Sequence, residues 1–106
     1  MPKFLFEATY TLEGAKGVQS AGGSSRRDAV AAVAKSVGGT LESFYFAFGE
    51  PDAYVVVDLP DNESAAAVAI AVNSGGGATV KTVVLLTPEE IDAAAGRSVD
   101  YRPPGA

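Results

Sequence analysis

Hydrophobic and polar positions alternate over residues 3–11, KFLFEATYT, and the period of two predicts a first strand. Phe4, Phe6, Ala8 and Tyr10 share one face of it, and Leu5, Glu7 and Thr9 share the other. The strongest pattern lies over residues 44–61, FYFAFGEPDAYVVVDLPD, which reads as two strands around a tight Gly49-Glu50-Pro51-Asp52 turn. Phe44, Phe46 and Phe48 point one way, and Tyr45 and Ala47 the other. In the second arm Ala53, Val55, Val57 and Leu59 oppose Tyr54, Val56 and Asp58. A strand with one wet face carries polar residues at every second position. Here both faces are rich in aromatic and β-branched side chains, so both need a cover.

The period lengthens to that of a helix over residues 25–37, where Val30, Val33, Ala34 and Val37 make a narrow apolar face. Ser25 is the expected cap, Asp28 stands where a capping box places an acid, and Gly38-Gly39 supply the stop. A second helix is expected over 62–73, NESAAAVAIAVN, capped by Asp61 and rich in alanine. Ala65, Val68, Ala69 and Val72 face inward and Ile70 sits on a flank. Almost no charge follows Glu63, which predicts that much of this helix is covered. A fourth strand over 78–87 and a short helix over 89–95, opened by Pro88, complete the elements. Residues 12–24 hold four glycines and show no apolar stripe, so they read as a long connection of the kind that often forms a lid or binding loop.

The order β-α-β-β-α-β is the split βαβ, ferredoxin-like α+β pattern: an antiparallel four-stranded sheet with two helices on one face. One domain over residues 1–96 and a frayed tail over 97–106 follow. The helices leave the face of Leu5, Tyr45 and Val56 bare. Two such faces packed together would form a two-chain barrel, so a homodimer or a higher homo-oligomer is the expected partner.

Composition narrows the chemistry. The chain is 47% hydrophobic and 20% charged, with a net charge of −5 and eight scattered basic residues. A nucleic-acid or anionic-membrane surface needs clustered Lys and Arg, so neither partner is expected. No run approaches the roughly 20 apolar residues that span a bilayer, and Glu7 interrupts the N-terminal stretch too early for a secretory signal, so the expected location is cytoplasmic. Cysteine and histidine are both absent. No thiolate chemistry is available, no spacing suggests a metal cage, and no cofactor is expected.

Carboxylates, phenols and arginines remain. Asp52 either caps the hairpin turn or serves as a pocket acid or base beside a tyrosine. Asp58, among apolar neighbours, either pairs with a base at the strand end or accepts a proton next to Tyr10 or Tyr54. Tyr10, Tyr45 and Tyr54 are core or interface residues, or they polarise a bound carbonyl or phenolate. Arg26 and Arg27 form a solvated pair, or meet an anion at the helix start.

Several short motifs carry a family resemblance. They are Tyr10-Thr11-Leu12-Glu13-Gly14 after the first strand, the helix ending in Gly38-Gly39, and Phe44-Tyr45 with Gly49 and Asp52 in the hairpin. Val56-Val57 with Pro60-Asp61 and Thr87-Pro88-Glu89-Glu90 extend the match. Over residues 1–95 the chain resembles the GYD-domain family of small bacterial and archaeal proteins. The name-giving Gly-x-Tyr-Asp reads Gly49-Glu50-Pro51-Asp52 here, with proline in place of tyrosine. The resemblance implies a dimeric α/β-barrel fold and no defined activity. Two functions suit it. One is an oligomeric barrel binding a small apolar or aromatic organic molecule through Tyr10, Tyr45, Asp52, Tyr54 and Asp58. The other is a cofactor-independent monooxygenase or isomerase using Tyr and Asp side chains, a class of activity that related dimeric barrels include.

Overall fold

The computed structural model describes residues 1–105. Four strands, β1 (Lys3–Tyr10), β2 (Thr40–Phe46), β3 (Ala53–Asp58) and β4 (Ala78–Leu85), form one antiparallel sheet in the order β2-β3-β1-β4. Four helices accompany it: α1 (Leu12–Ala21), α2 (Gly23–Ser36), α3 (Asn62–Ser74) and α4 (Pro88–Ala95). The chain is therefore α+β with an open sheet.

Period-two alternation decides what each face of the sheet holds. Phe4 lies opposite Val57, Phe6 opposite Val55, and Phe44 opposite Val55 from the other side. These side chains meet Ala34 of α2 and Ala65 and Val68 of α3, so both helices cover the same face. Phe4 and Leu59 are the largest side chains fully enclosed. Asp61 begins α3 as expected, its carboxylate accepting from the Ser64 hydroxyl at 2.7 Å and the Ser64 N–H at 2.8 Å. Those two donors hold its pKa below the ordinary aspartate value. At α4 Thr87 and Glu90 form a reciprocal capping box.

The expected connection over 12–24 is instead helical. Thr11 caps α1 by accepting from the Gly14 N–H, and its own hydroxyl donates to the Gly76 carbonyl at 2.7 Å. The inward positions are Gly14, Gly17, Val18 and Ala21, which follow helical spacing but are too small to register as an apolar stripe. Smallness here is a packing requirement. A Cβ at Gly14 would collide with the Gly77 carbonyl oxygen, so only glycine lets α1 approach that loop.

Consequently α2 starts at Gly23 rather than Ser25, and Gly22 serves both helices. Its N–H closes α1 on the Val18 carbonyl, its carbonyl accepts from the Arg26 N–H, and its φ of +89° turns the chain without a spacer. Ser25 therefore lies inside the helix, and Asp28 pairs with Arg27 at 3.2 Å instead of completing a capping box. Three smaller corrections concern the apolar sets. β2 ends at Phe46 and leaves Phe48 fully exposed. On α2, Val33 lies toward solvent while Ala34 is buried. On α3, Ala65 and Val68 are buried and Ala69 and Val72 pack against the core as expected, but Ile70 is 67% exposed, so the single chain leaves uncovered much of the helix that its low charge suggested was enclosed.

Among the described residues α2 and α3 leave the opposite face of the sheet uncovered, and its register makes rows. Val56, Leu5 and Val83 lie abreast on β3, β1 and β4 as a half-buried apolar band. Beside it run Tyr45, Tyr54, Glu7 and Lys81. On the other side Lys3 donates to Asp58 at 2.8 Å and to Glu42 at 3.1 Å, contacts that raise the lysine pKa. This face is thus a band of apolar residues framed by charge, less uniformly apolar than the hairpin alone implies.

Candidate functional site

A cleft of about 410 Å³ lies between α1, α2 and α3 at the end of β1. That volume falls within the roughly 300–1,000 Å³ typical of small-molecule sites. Gly14, Gly17, Val18 and Ala21 supply the α1 wall, and Ala71 and Val72 the α3 wall. Small side chains on facing helices leave the space unfilled. Toward the core the cleft continues as a narrow apolar seam of about 50 Å³ beneath Phe6, Phe44 and Val68. Tyr10, Arg26, Val72 and Ala78 line both compartments.

Tyr10 reaches the cleft because it ends the buried face of β1, directly opposite Ala78 of β4. Its ring packs against Phe46 at a centroid separation of 6.4 Å, and Phe46 in turn meets Phe44 edge-on at 4.9 Å. Arg26 comes from the first turn of α2. The two arginines of the expected surface pair have different fates: Arg27 is exposed and paired with Asp28, whereas the Arg26 Nε is buried without a hydrogen-bond partner. Among the described residues no aspartate or glutamate lines the cleft, and Arg26 is its single charged side chain.

The five residues singled out by sequence are distributed over three places. Tyr10 lines the cleft. Tyr45 and Tyr54 face each other directly across β2 and β3 on the uncovered side of the sheet, where Asp58 pairs with Lys3. Asp52 lies between, at the hairpin turn. Its carboxylate accepts from the Tyr10 N–H at 2.8 Å and from the Gly49 N–H at 3.2 Å, while its own N–H donates to the Ala8 carbonyl at 2.8 Å. Asp52 therefore ties the turn to the end of β1 and sets the position of Tyr10. Arg26 was legible only as half of a charged pair; it is half-buried because it lies one helical turn before Val30, on the face of α2 that also carries Val33.

A prediction follows for Asp52. A hydrogen bond to a charged group contributes about 1.5–3 kcal/mol, and since the bond from Tyr10 is part-buried and that from Gly49 exposed, Asp52→Ala is expected to destabilise the fold by about 2–3 kcal/mol. Urea unfolding checks this, with Asp52→Asn retaining part of the loss because its amide oxygen accepts one of the two bonds. A midpoint unchanged by the alanine substitution would mean that the turn holds itself.

Among the described residues no group of acidic side chains is arranged to hold a metal ion, and no helix is long and apolar enough to cross a membrane. The antiparallel order β2-β3-β1-β4, helices on one face and a small-walled cleft at the end of β1 define an α+β domain of the split βαβ kind. The GYD domain model matches residues 4–95, and the chain belongs to the GYD-domain family. No curated protein matches the chain.

Proposed function

We propose that this protein binds a small organic molecule in the cleft beside Tyr10 and works as a homodimer joined through the uncovered face of its sheet. The observation that carries the reading is the cleft itself: the core around Phe4 and Leu59 is filled, while the adjacent space between α1, α2 and α3 is left open by glycine and alanine. A cleft of this size walled by small residues and bordered by an aromatic ring and one charged group has the make-up of a small-molecule site. The self-pairing half rests on the Val56, Leu5 and Val83 band, which no helix covers and which a two-fold related copy would bury.

Catalysis by Tyr and Asp has less support. A general base must come within hydrogen-bond reach of the group it serves. Tyr10 is on the helix-covered side of the sheet, and Tyr45, Tyr54 and Asp58 are on the other. Asp52 spends both carboxylate oxygens on backbone donors. Binding therefore remains the reading the geometry favours over a cofactor-independent monooxygenase or isomerase.

Native mass spectrometry of the purified chain tests both halves. The expected spectrum shows twice the chain mass with a reproducible small addition. A bare monomer removes the reading altogether, and a bare dimer removes the ligand.

A further inference from the structure

We infer that the cleft takes a small organic carboxylate, its anionic end on the Arg26 guanidinium and its apolar body against the alanine and valine walls. This rests on the cleft being a ligand site, as proposed above, and adds the chemistry of the ligand. Three features of the cleft point the same way.

The first is Arg26. A guanidinium carries five donors and stays charged at any physiological pH. The Arg26 side chain as a whole is half-buried, and enclosing one of its N–H groups without a partner is costly. The Arg26 Nε is buried and has no partner, and among the described residues the side chain makes no ion pair. An incoming carboxylate would satisfy it with the bidentate geometry that arginine is shaped for.

The second is the start of α2. The first turn of a helix presents unsatisfied N–H groups, normally met by a side-chain cap. Gly22 offers no side chain, and among the described residues no side-chain hydrogen bond caps that turn. Gly22, Ser25 and Arg26 all line the cleft. The open donors and the positive end of the α2 dipole therefore border the same space as the guanidinium.

The third is the sign of the charge. The chain carries a net charge of −5, yet the cleft contains no acidic side chain. One arginine without a lysine, in walls made of Val18, Ala21, Ala29 and Val72, matches a single negative charge on an apolar body better than a phosphoryl dianion.

Titration of the full chain with benzoate and hexanoate, followed by 15N-resolved NMR and calorimetry, tests this, with benzyl alcohol as the neutral counterpart and inorganic phosphate as the rival anion. Expected is saturable binding of a carboxylate that shifts the amide signals of Gly22, Gly23, Ser24 and Ser25, with benzyl alcohol at least about tenfold weaker. Arg26→Met should weaken the carboxylate by about 10- to 100-fold and leave benzyl alcohol unchanged, the range set by charge-assisted hydrogen bonding. Should that variant fold poorly, Arg26→Lys keeps the charge without the fork and should give an intermediate loss. Gly17→Leu, which adds bulk where a Cβ meets nothing within 4 Å, should block both ligands with Arg26 intact. Equal affinity for benzoate and benzyl alcohol, or a preference for phosphate, overturns the carboxylate assignment and leaves the cleft as a ligand site. Absence of any binding, with no shift at the first turn of α2, overturns both.

Discussion

Replacing Phe4 with alanine should lower the unfolding free energy by about 3–5 kcal/mol, the usual cost of a phenyl ring removed from a core that only partly collapses around the cavity. Phe4 is 1% exposed, flanked on the sheet by Val57 and Val84 and covered by α2 and α3. A domain of this length has about 5–15 kcal/mol in total, so the loss is a large share of it. The melting temperature should fall by about 15–25 °C at fixed protein concentration. Val84→Ala is the internal comparison. It sits directly opposite Phe4 on the edge strand but is 55% exposed, and should cost about 1 kcal/mol or less. If the two substitutions moved the urea midpoint equally, the core would not be centred where the register puts it.

The sheet was legible because its strands announce themselves twice, in alternation and in residue type. Phe4 and Phe6 against Leu5 and Glu7, or Val55 and Val57 against Tyr54 and Asp58, determine which face is buried before any partner is known. Asp61 and Thr87 were equally clear, since a capping side chain has one place to go. The α1 segment was not legible, for a reason that also explains the site. Hydrophobic periodicity detects helices whose buried face is large, whereas α1 turns Gly14, Gly17 and Ala21 inward. Glycine costs a helix about 1 kcal/mol relative to alanine, so tertiary contacts such as Thr11 to Gly76 must overcome the propensity. The same small residues leave the cleft open. The feature that hides the helix from the sequence thus makes the space a ligand would occupy, and without α1 there was no cleft to separate Arg26 from Arg27.

If the protein pairs through its sheet as proposed, Val56→Asp should convert that homodimer to a monomer while leaving the subunit folded. Val56 is half-buried in the uncovered band, between Leu5 of β1 and Ser43 of β2, with Asp58 two residues along the same face. Within one chain the new carboxylate can still reach water, so the substitution should cost the fold about 1 kcal/mol or less. At a two-fold interface the change enters twice, and each copy would bury an unpaired charge near an existing one. Breaking the pairing of a buried charge costs about 3–5 kcal/mol, which raises the dissociation constant by at least about 100-fold. Sedimentation velocity at micromolar concentration reads the result directly. Ile70→Asp, on the outer side of α3 at 67% exposure, should leave the mass at twice that of the chain. If Val56→Asp kept the dimer and Ile70→Asp broke it, the partner would sit on the helix face, and the low charge of α3 would then be the trace of that contact.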